Sequence, residues 1–406
     1  MKIAIVSDMH IGYERFHEDA IRQAREAMEL ASAMADAIIL PGDIFDKRAP
    51  KPEVIAEAIN LFRSIAEKSW RAKVVEFRCG RENHTDVPVI AISGTHERTA
   101  AGKDNPLSLL GLAGLLVDTN EATTIIEKDG ERVAVFGLGG LSEERVKEKL
   151  AELDPKPVAG VFSIFMFHQS IYEILPFSED FIHYGDLPRG FDLYVNGHVH
   201  SIVEATVHGK PFLIPGSTVL TQLKEGEQEQ KGFMVFDTRT KTYVFVKIDS
   251  RRMFARTIKF DDADPEEVKR KCESQIEELL GQSDKKPVIR LKLVGRISDG
   301  FDSADMPLQA IAMKYADRAV IDIDSAKLVS KELEEGINEI RDTREGGTSI
   351  RELGMRMLIE KLKEQKFGDD INASDLFQIL SSGTKKEKVI AEALELLANS
   401  GGAPPG

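Results

Sequence analysis

Five short patterns carry histidine, carboxylate or both: Asp8-Met9-His10, Gly42-Asp43-Ile44-Phe45-Asp46, Gly94-Thr95-His96-Glu97, His168-Gln169 and Gly197-His198-Val199-His200. Each alone is a weak signal, because short His and Asp motifs arise by chance. Together they carry weight: five of the nine histidines stand in them, each after a strand-like apolar run, and so do Asp8 and Asp43. A set of imidazoles and carboxylates without thiolate suits manganese, iron or zinc, and a carboxylate can bridge two ions. Such a pair polarises a phosphoryl oxygen, lowers the pKa of a bound water and stabilises in-line displacement. The chemistry is therefore phosphoester hydrolysis. A histidine beside the metals, without ligating them, would protonate the leaving alkoxide.

These residues need strands to carry them. Lys2 to Ser7, Ala37 to Leu40 and Val87 to Ile92 read as buried strands, and Phe16 to Met34 and Pro52 to Lys68 have apolar residues at helical spacing. This alternation predicts parallel strands covered by helices, whose carboxyl ends gather ligand-binding loops. After about residue 120, strands come in quick succession. Thr123 to Ile126 and Val133 to Gly137 form a hairpin around Asp129-Gly130, and a helix follows over Ser142 to Leu150. Further strands are predicted at Val161 to Phe167, Leu193 to Asn196, Ile202 to Val207, Phe212 to Ile214, Phe233 to Asp237 and Tyr243 to Ile248. The fold class is α/β: two sheets face to face with helices outside, in four α-β-β-α layers, over residues 1–250. A smaller α+β unit over 251–324 holds strands at Phe254 to Phe260, Val288 to Val294 and Ala319 to Ile323 and a helix at Glu266 to Leu280. A charged linker (325–347), a helical segment (348–400) and a disordered tail (401–406) complete the expected layout. Three helices are predicted in the helical segment: Ser349 to Lys366, Ala373 to Leu380 and Lys385 to Ala398.

At 406 residues, 42% hydrophobic and 30% charged, the chain is globular, with room for roughly two or three domains. Only Cys79 and Cys272 are present, so neither a disulfide framework nor a Cys-rich zinc module can form. With no signal-like or membrane-spanning run, a cytoplasmic location without a membrane is expected. A net charge of -14 argues against nucleic-acid binding by diffuse attraction, which needs lysine and arginine to displace phosphate counterions. DNA contact must then be local. Candidate contacts are Arg251, Arg252, Lys292 and Arg296, within basic clusters that also include Arg256, Lys259, Lys285, Lys286 and Arg290. His17, His84, His183 and His208 lie outside the patterns and read as ordinary surface or core residues.

In order and spacing, Asp8-x-His10, Gly42-Asp43, Gly94-x-His96-Glu97, His168 and Gly197-His198-x-His200 resemble the calcineurin-like metallophosphoesterases. Asp8-Met9-His10-Ile11-Gly12-Tyr13, Phe167-His168-Gln169-Ser170 and Pro211-Phe212-Leu213-Ile214-Pro215-Gly216-Ser217 resemble that family's DNA-repair branch, the meiotic recombination eleven (SbcD-type) nucleases of archaea, eukaryotes and bacteria. The resemblance implies that Asp8, His10 and His200 hold one of two manganese ions, that Asp43 bridges, that His168 and His198 hold the second, and that His96 is catalytic. It further implies a nuclease that processes DNA double-strand breaks, with 3′-to-5′ exonuclease activity on duplex ends and endonuclease activity on single strands. Residues 251–324 would be a DNA-binding cap. The helices of 348–400 would bind an SMC-like ABC ATPase of the Rad fifty or SbcC type. A homodimer is expected; the sequence does not give its surface, for which apolar helices such as Pro52 to Lys68 or Asn105 to Leu116 are candidates.

Two positions depart from the family pattern. Thr95 stands where the family has a metal-binding asparagine, and Asp46 where well-known members have a histidine. Both are candidate metal contacts or supports for a metal ligand; an acidic side chain near a phosphate is unfavourable, so Asp46 either supports a neighbouring residue or lowers exonuclease turnover. Two other readings stay open: a DNA-end tether with a decayed site, and a phosphoesterase acting on small nucleotides. Because a neutral hydroxyl is a poor donor to a divalent ion, Thr95 predicts a weaker second metal site. Calorimetric titration with manganese should resolve two unequal steps; two equally tight ions would contradict the assignment.

Overall fold

The computed structural model describes residues 1–78, 85–99, 104–177, 181–223, 225–283, 285–302, 304–330, 355, 358–359 and 373–380. Cys79, His84, the linker beyond Ser330, the expected helix at Lys385 to Ala398, nearly all of the one at Ser349 to Lys366, and the tail over 401–406 lie outside these residues.

The chain opens with β1 (Lys2–Ile5), α1 (His17–Met34), β2 (Ala37–Pro41), α2 (Pro52–Ala66), β3 (Lys73–Arg78), β4 (Val89–Ile92), α3 (Pro106–Leu112) and β5 (Val117–Asp118). Then come β6 (Ala122–Lys128), β7 (Glu131–Leu138), α4 (Glu143–Leu153), β8 (Phe162–Phe167), β9 (Leu193–Asn196), β10 (Val203–Val207), β11 (Lys210–Ile214), β12 (Gly232–Asp237) and β13 (Thr242–Lys247). Six strands form one sheet in the order β13-β12-β1-β2-β4-β5, and seven form another in the order β10-β11-β9-β8-β7-β6-β3. Strands β1, β2, β4 and β5 run parallel, as do β7, β8 and β9.

Strand periodicity explains the layering. Along β1, Ile3 and Ile5 enter a core shared with the second sheet, whereas Ala4 and Val6 enter one shared with α1 and α2. Ile39, Ile90 and Ile92 repeat the first choice, and Leu40, Val89 and Ala91 the second. In the second sheet Ile164, Met166, Leu193 and Val195 face the inter-sheet core, while Phe165, Phe167 and Tyr194 pack outward with Val146 and Leu150 of α4. A strand buried on both faces must be apolar at every position, and β2 and β4 are. The result is the expected four layers. β3 was not foreseen. Its Lys73-Val74-Val75-Glu76-Phe77-Arg78 run is half-exposed, and a bulge between Val74 and Glu76 breaks its pairing with β6. The helix at Asn105 to Leu116 is shorter than expected; Asn105 caps α3 through reciprocal hydrogen bonds with Ser108.

The remaining elements are β14 (Met253–Ala263), α5 (Pro265–Leu280), β15 (Val288–Ile297), α6 (Leu308–Lys314), β16 (Val320–Ser330) and α7 (Ala373–Leu380). A third sheet runs β14-β15-β16. The strand expected at Ala319 to Ile323 thus continues through the first residues assigned to the linker. Two compact units divide the chain: one of residues 1–256, 274–291 and 312–322, and one of 257–273, 292–311 and the described residues from 323 on. The first unit extends past Ser250 because Met253 and Val288 share an apolar cluster with Phe16, Ala20, Val219, Leu220 and Leu223. None of the helices among the described residues is long and apolar enough to cross a membrane.

Leu193 is fully buried between the large sheets. Leu193→Ala should therefore lower the unfolding free energy by about 2–5 kcal/mol. Urea titration with an unchanged m-value checks this.

Candidate metal centre

Every patterned residue follows the carboxyl end of a parallel strand: Asp8 and His10 after β1, Asp43 and Asp46 after β2, Thr95 and His96 after β4, His168 after β8, His198 and His200 after β9. The first two loops are laced together by backbone hydrogen bonds, Asp8 N–H to Gly42 O (3.3 Å), His10 N–H to Asp43 O (3.0 Å) and Ile11 N–H to Ile44 O (2.8 Å). Asp8, His10, Asp43 and His198 all have positive φ, between 45° and 73°. Such conformations cost about 1–3 kcal/mol each for non-glycine residues and persist only where their surroundings enforce them. Two glycines are needed for the close approach. A Cβ at Gly42 (φ +95°) would lie 2.5 Å from His168 Nδ1, and one at Gly94 would lie 2.1 Å from Asp43 Oδ1.

Three clusters of one carboxylate and two imidazoles result among the described residues. In each of them, Asp8 with His10 and His200, Asp43 with His168 and His198, and Asp46 with His10 and His96, one ligand atom per residue lies within 4.8 Å of the others. The ring nitrogens decide what these clusters can hold. His168 Nδ1 faces the Pro41 carbonyl at 2.7 Å, and a carbonyl only accepts, so Nδ1 carries the hydrogen. His10 Nδ1 lies 3.3 Å from Asp46 Oδ1, a carboxylate oxygen, with the same consequence. In the neutral ring each Nε2 then turns a lone pair inward. His168 Nε2 is 3.1 Å from Asp43 Oδ2 but has no hydrogen-bond partner, although buried. His10 Nε2 and His200 Nε2 stand 3.2 Å apart. Lone pairs and carboxylates so placed repel one another unless positive charge lies between them, and divalent cations fit this donor set.

The electrostatics reflect that demand. Burial raises the Asp8 carboxyl to about 6. Burial acts on Asp43 in the same direction, but the adjacent His168 prevails and holds it far below the usual carboxylate range. For His168, burial acts downward and is overcome by Asp43, giving about 9. Burial and the charge of His168 depress His198 to about 4.

The two departing residues have clear contacts. Thr95 Oγ1 donates to Asp43 Oδ2 at 3.3 Å, and the Asp46 carboxylate supports the His10 ring. Asp46 also accepts from His96 Nδ1 through its backbone carbonyl at 2.7 Å. The His96 ring packs edge-on to His10, 4.9 Å between centroids, and its side chain is 44% exposed. Of the basic candidates, Arg251 is paired with Asp19 and donates to Lys286 O, Arg252 donates to Gln282 O and lies over the Phe254 ring, and Arg296 pairs with Asp261. Lys292 lies on β15. Among the other histidines, His17 sits 3.3 Å from Glu57, His183 3.4 Å from Glu173, and His208 hydrogen-bonds Leu187 O.

Several contributors were not singled out from sequence. Glu97, fully buried, accepts from Phe45 N–H (2.8 Å) and Gly94 N–H (2.9 Å) and so joins the second and third loops. Burial and then the charge of Asp43 push its carboxyl up to about 8. Ser170 Oγ lies 3.0 Å from His198 Nε2. Both residues stand inside quoted patterns, and that adjacency was the available signal. Thr221, Glu227 and Lys231 surround His200 without any such signal.

Residues 1–201 match the calcineurin-like phosphoesterase family. The chain is 27% identical to the DNA double-strand break repair protein Mre11 of Methanopyrus kandleri, over 58% of this chain and 54% of that protein. It is 26% identical to the Archaeoglobus fulgidus protein of the same name, over 97% and 87%. It is 27% identical to the double-strand break repair protein MRE11 of Encephalitozoon cuniculi, over 70% and 54%. The chain thus spans about half the length of the Methanopyrus and Encephalitozoon relatives.

Gly94→Ala would force a methyl group onto the Asp43 carboxylate. It should weaken any divalent-metal binding in which Asp43 takes part and cost about 1–3 kcal/mol of stability, read by calorimetry and thermal melting.

Proposed function

We propose that this chain, whose residues 1–201 match the calcineurin-like phosphoesterase family, is a manganese-dependent nuclease that processes DNA double-strand breaks. One observation carries the reading: two clusters of one carboxylate and two imidazoles, built from side chains spread over 193 sequence positions between Asp8 and His200, lie at the ends of parallel strands. Asp8, His10 and His200 would hold one ion; Asp43, His168 and His198 would hold the other, with Asp43 bridging. When bound, the ions would supply Lewis-acid polarisation of the phosphate and a nucleophile at neutral pH.

The chain's own residues do the rest. Asp46 and the Pro41 carbonyl fix the tautomers of His10 and His168, so that their Nε2 atoms face inward. His96, held through Nδ1 on the Asp46 carbonyl, has Nε2 available to exchange a proton with the departing sugar oxygen. Asp46 thus serves two histidines at once, which favours a working site over a decayed one. The polarity would be 3′-to-5′ on duplex ends, with endonuclease action on single strands. Residues 251–324 would serve as the DNA-binding cap, with Lys292 and Arg296 reaching phosphate. The chain beyond Ser330, where β16 ends, would link this cap to the segment 348–400, which includes α7 and would engage an SMC-like ABC ATPase of the Rad fifty type. A second copy of the chain would pack on α3, where Leu109 and Leu112 are 44% and 59% exposed.

Wild-type protein should degrade end-labelled linear duplex in manganese, and faster than it hydrolyses bis-p-nitrophenyl phosphate on a per-enzyme basis. Asp8→Asn should lose both activity and metal. His96→Asn should keep its metal content and lose about 10²–10⁴-fold in rate, the usual worth of a positioned acid. Metal retention without nuclease activity in the wild type would favour the tether instead.

A further inference from the structure

The ring of His200 differs from those of His10 and His168 in what holds its outer nitrogen. Its Nδ1 makes a short hydrogen bond with Thr221 Oγ1, a hydroxyl that can donate or accept. The next contact resolves that ambiguity. Thr221 Oγ1 lies 2.9 Å from Glu227 Oε1. Glu227 is 4% exposed and collects donors: the backbone N–H groups of Thr221, Gln222 and Leu223 at 2.7–3.2 Å, and Lys231 Nζ at 3.4 Å. Lys231, itself 4% exposed, is anchored to His200 O at 3.2 Å and Ser217 Oγ at 2.9 Å. Leu223 adopts φ 52°, a conformation costly for a branched side chain, and in it turns its N–H to Glu227.

The hydroxyl has one hydrogen. A carboxylate surrounded by donors and paired with a buried ammonium only accepts, so that hydrogen goes to Glu227. Towards His200 the hydroxyl can then only accept, and Nδ1 must supply the hydrogen. We infer that Thr221 and Glu227 are positioning residues that lock His200 in its Nδ1–H tautomer and aim the Nε2 lone pair at the cation pocket of Asp8 and His10. Lys231 holds the charge on Glu227 and fixes the His200 backbone. This relay deepens the metal-centre reading above and rests on it for its consequence, but the tautomer itself can be observed without metal.

The test uses the full chain labelled with ¹⁵N-histidine, with His200 identified by its disappearance in His200→Gln. Long-range ¹H–¹⁵N spectra of the metal-free protein should give Nδ1–H for His200 in the wild type and in Thr221→Ser, and a mixed or Nε2–H pattern in Thr221→Val. Manganese calorimetry on the same three proteins should show binding about 10–100-fold weaker in Thr221→Val, with affinity restored in Thr221→Ser. Glu227→Gln, which can offer an amide donor to the hydroxyl, should shift His200 towards Nε2–H and gives a second route if Thr221→Val folds poorly. An Nε2–H wild type, an unchanged tautomer and affinity in Thr221→Val, or a Thr221→Ser protein as impaired as Thr221→Val would overturn the relay. A wild type with the Nδ1–H tautomer that binds no manganese would leave the relay standing and end the metal-centre reading.

Discussion

Inward-facing lone pairs govern this molecule. The outer nitrogens of His10 and His168 give their hydrogens to oxygens that only accept, so in the neutral rings His168 Nε2 turns a lone pair to Asp43 and His10 Nε2 turns one to His200 Nε2. Such a cluster is stable only around positive charge. Without a metal a proton meets the same demand: His168, raised to about 9, carries it on Nε2 at neutral pH, and that charge holds the Asp43 carboxyl far below the usual carboxylate range.

Holding the cluster together requires backbone strain, and the sandwich resists that strain. Four residues of the centre have left-handed backbones, while the strands beneath them are buried on both faces by Ile, Val, Leu and Ala. A core of that density resists local relaxation, so loop conformations that a free peptide would reject are retained. Gly42 and Gly94 serve the same end by letting the loops approach His168 and Asp43 more closely than a side chain would allow. Buried Glu97 fastens two of the loops to each other.

The charge distribution limits how such a centre can meet a polyanion. With a net charge of -14, long-range attraction to nucleic acid is unfavourable, and the arginines nearest the sequence boundary at Ser250 already serve structure: Arg251 answers Asp19, and Arg252 caps the Gln282 carbonyl. Local positive charge would then come chiefly from cations in the centre itself, which couples substrate affinity to metal occupancy.

The sequence by itself determined the layers and the ends of the strands. Ile3, Ala4, Ile5 and Val6 alternate between two cores because side chains on a strand alternate in direction, and a histidine or aspartate just past such a run must lie at the sheet's carboxyl edge. Asp8, His10, Asp43, His168, His198 and His200 were legible for that reason, and so was their convergence. β3 was not, because a half-exposed edge strand with a bulge lacks a regular period. The tertiary structure alone decided the orientation of each ring. Pro41 O against His168 and Glu227 behind Thr221 and His200 are contacts across 127 and 27 residues of chain, and hydrogen-bond direction depends on angles and neighbours that no residue spacing encodes. For the same reason Arg251 reads as a free cation in the sequence and is an ion-pair partner of Asp19 in the fold.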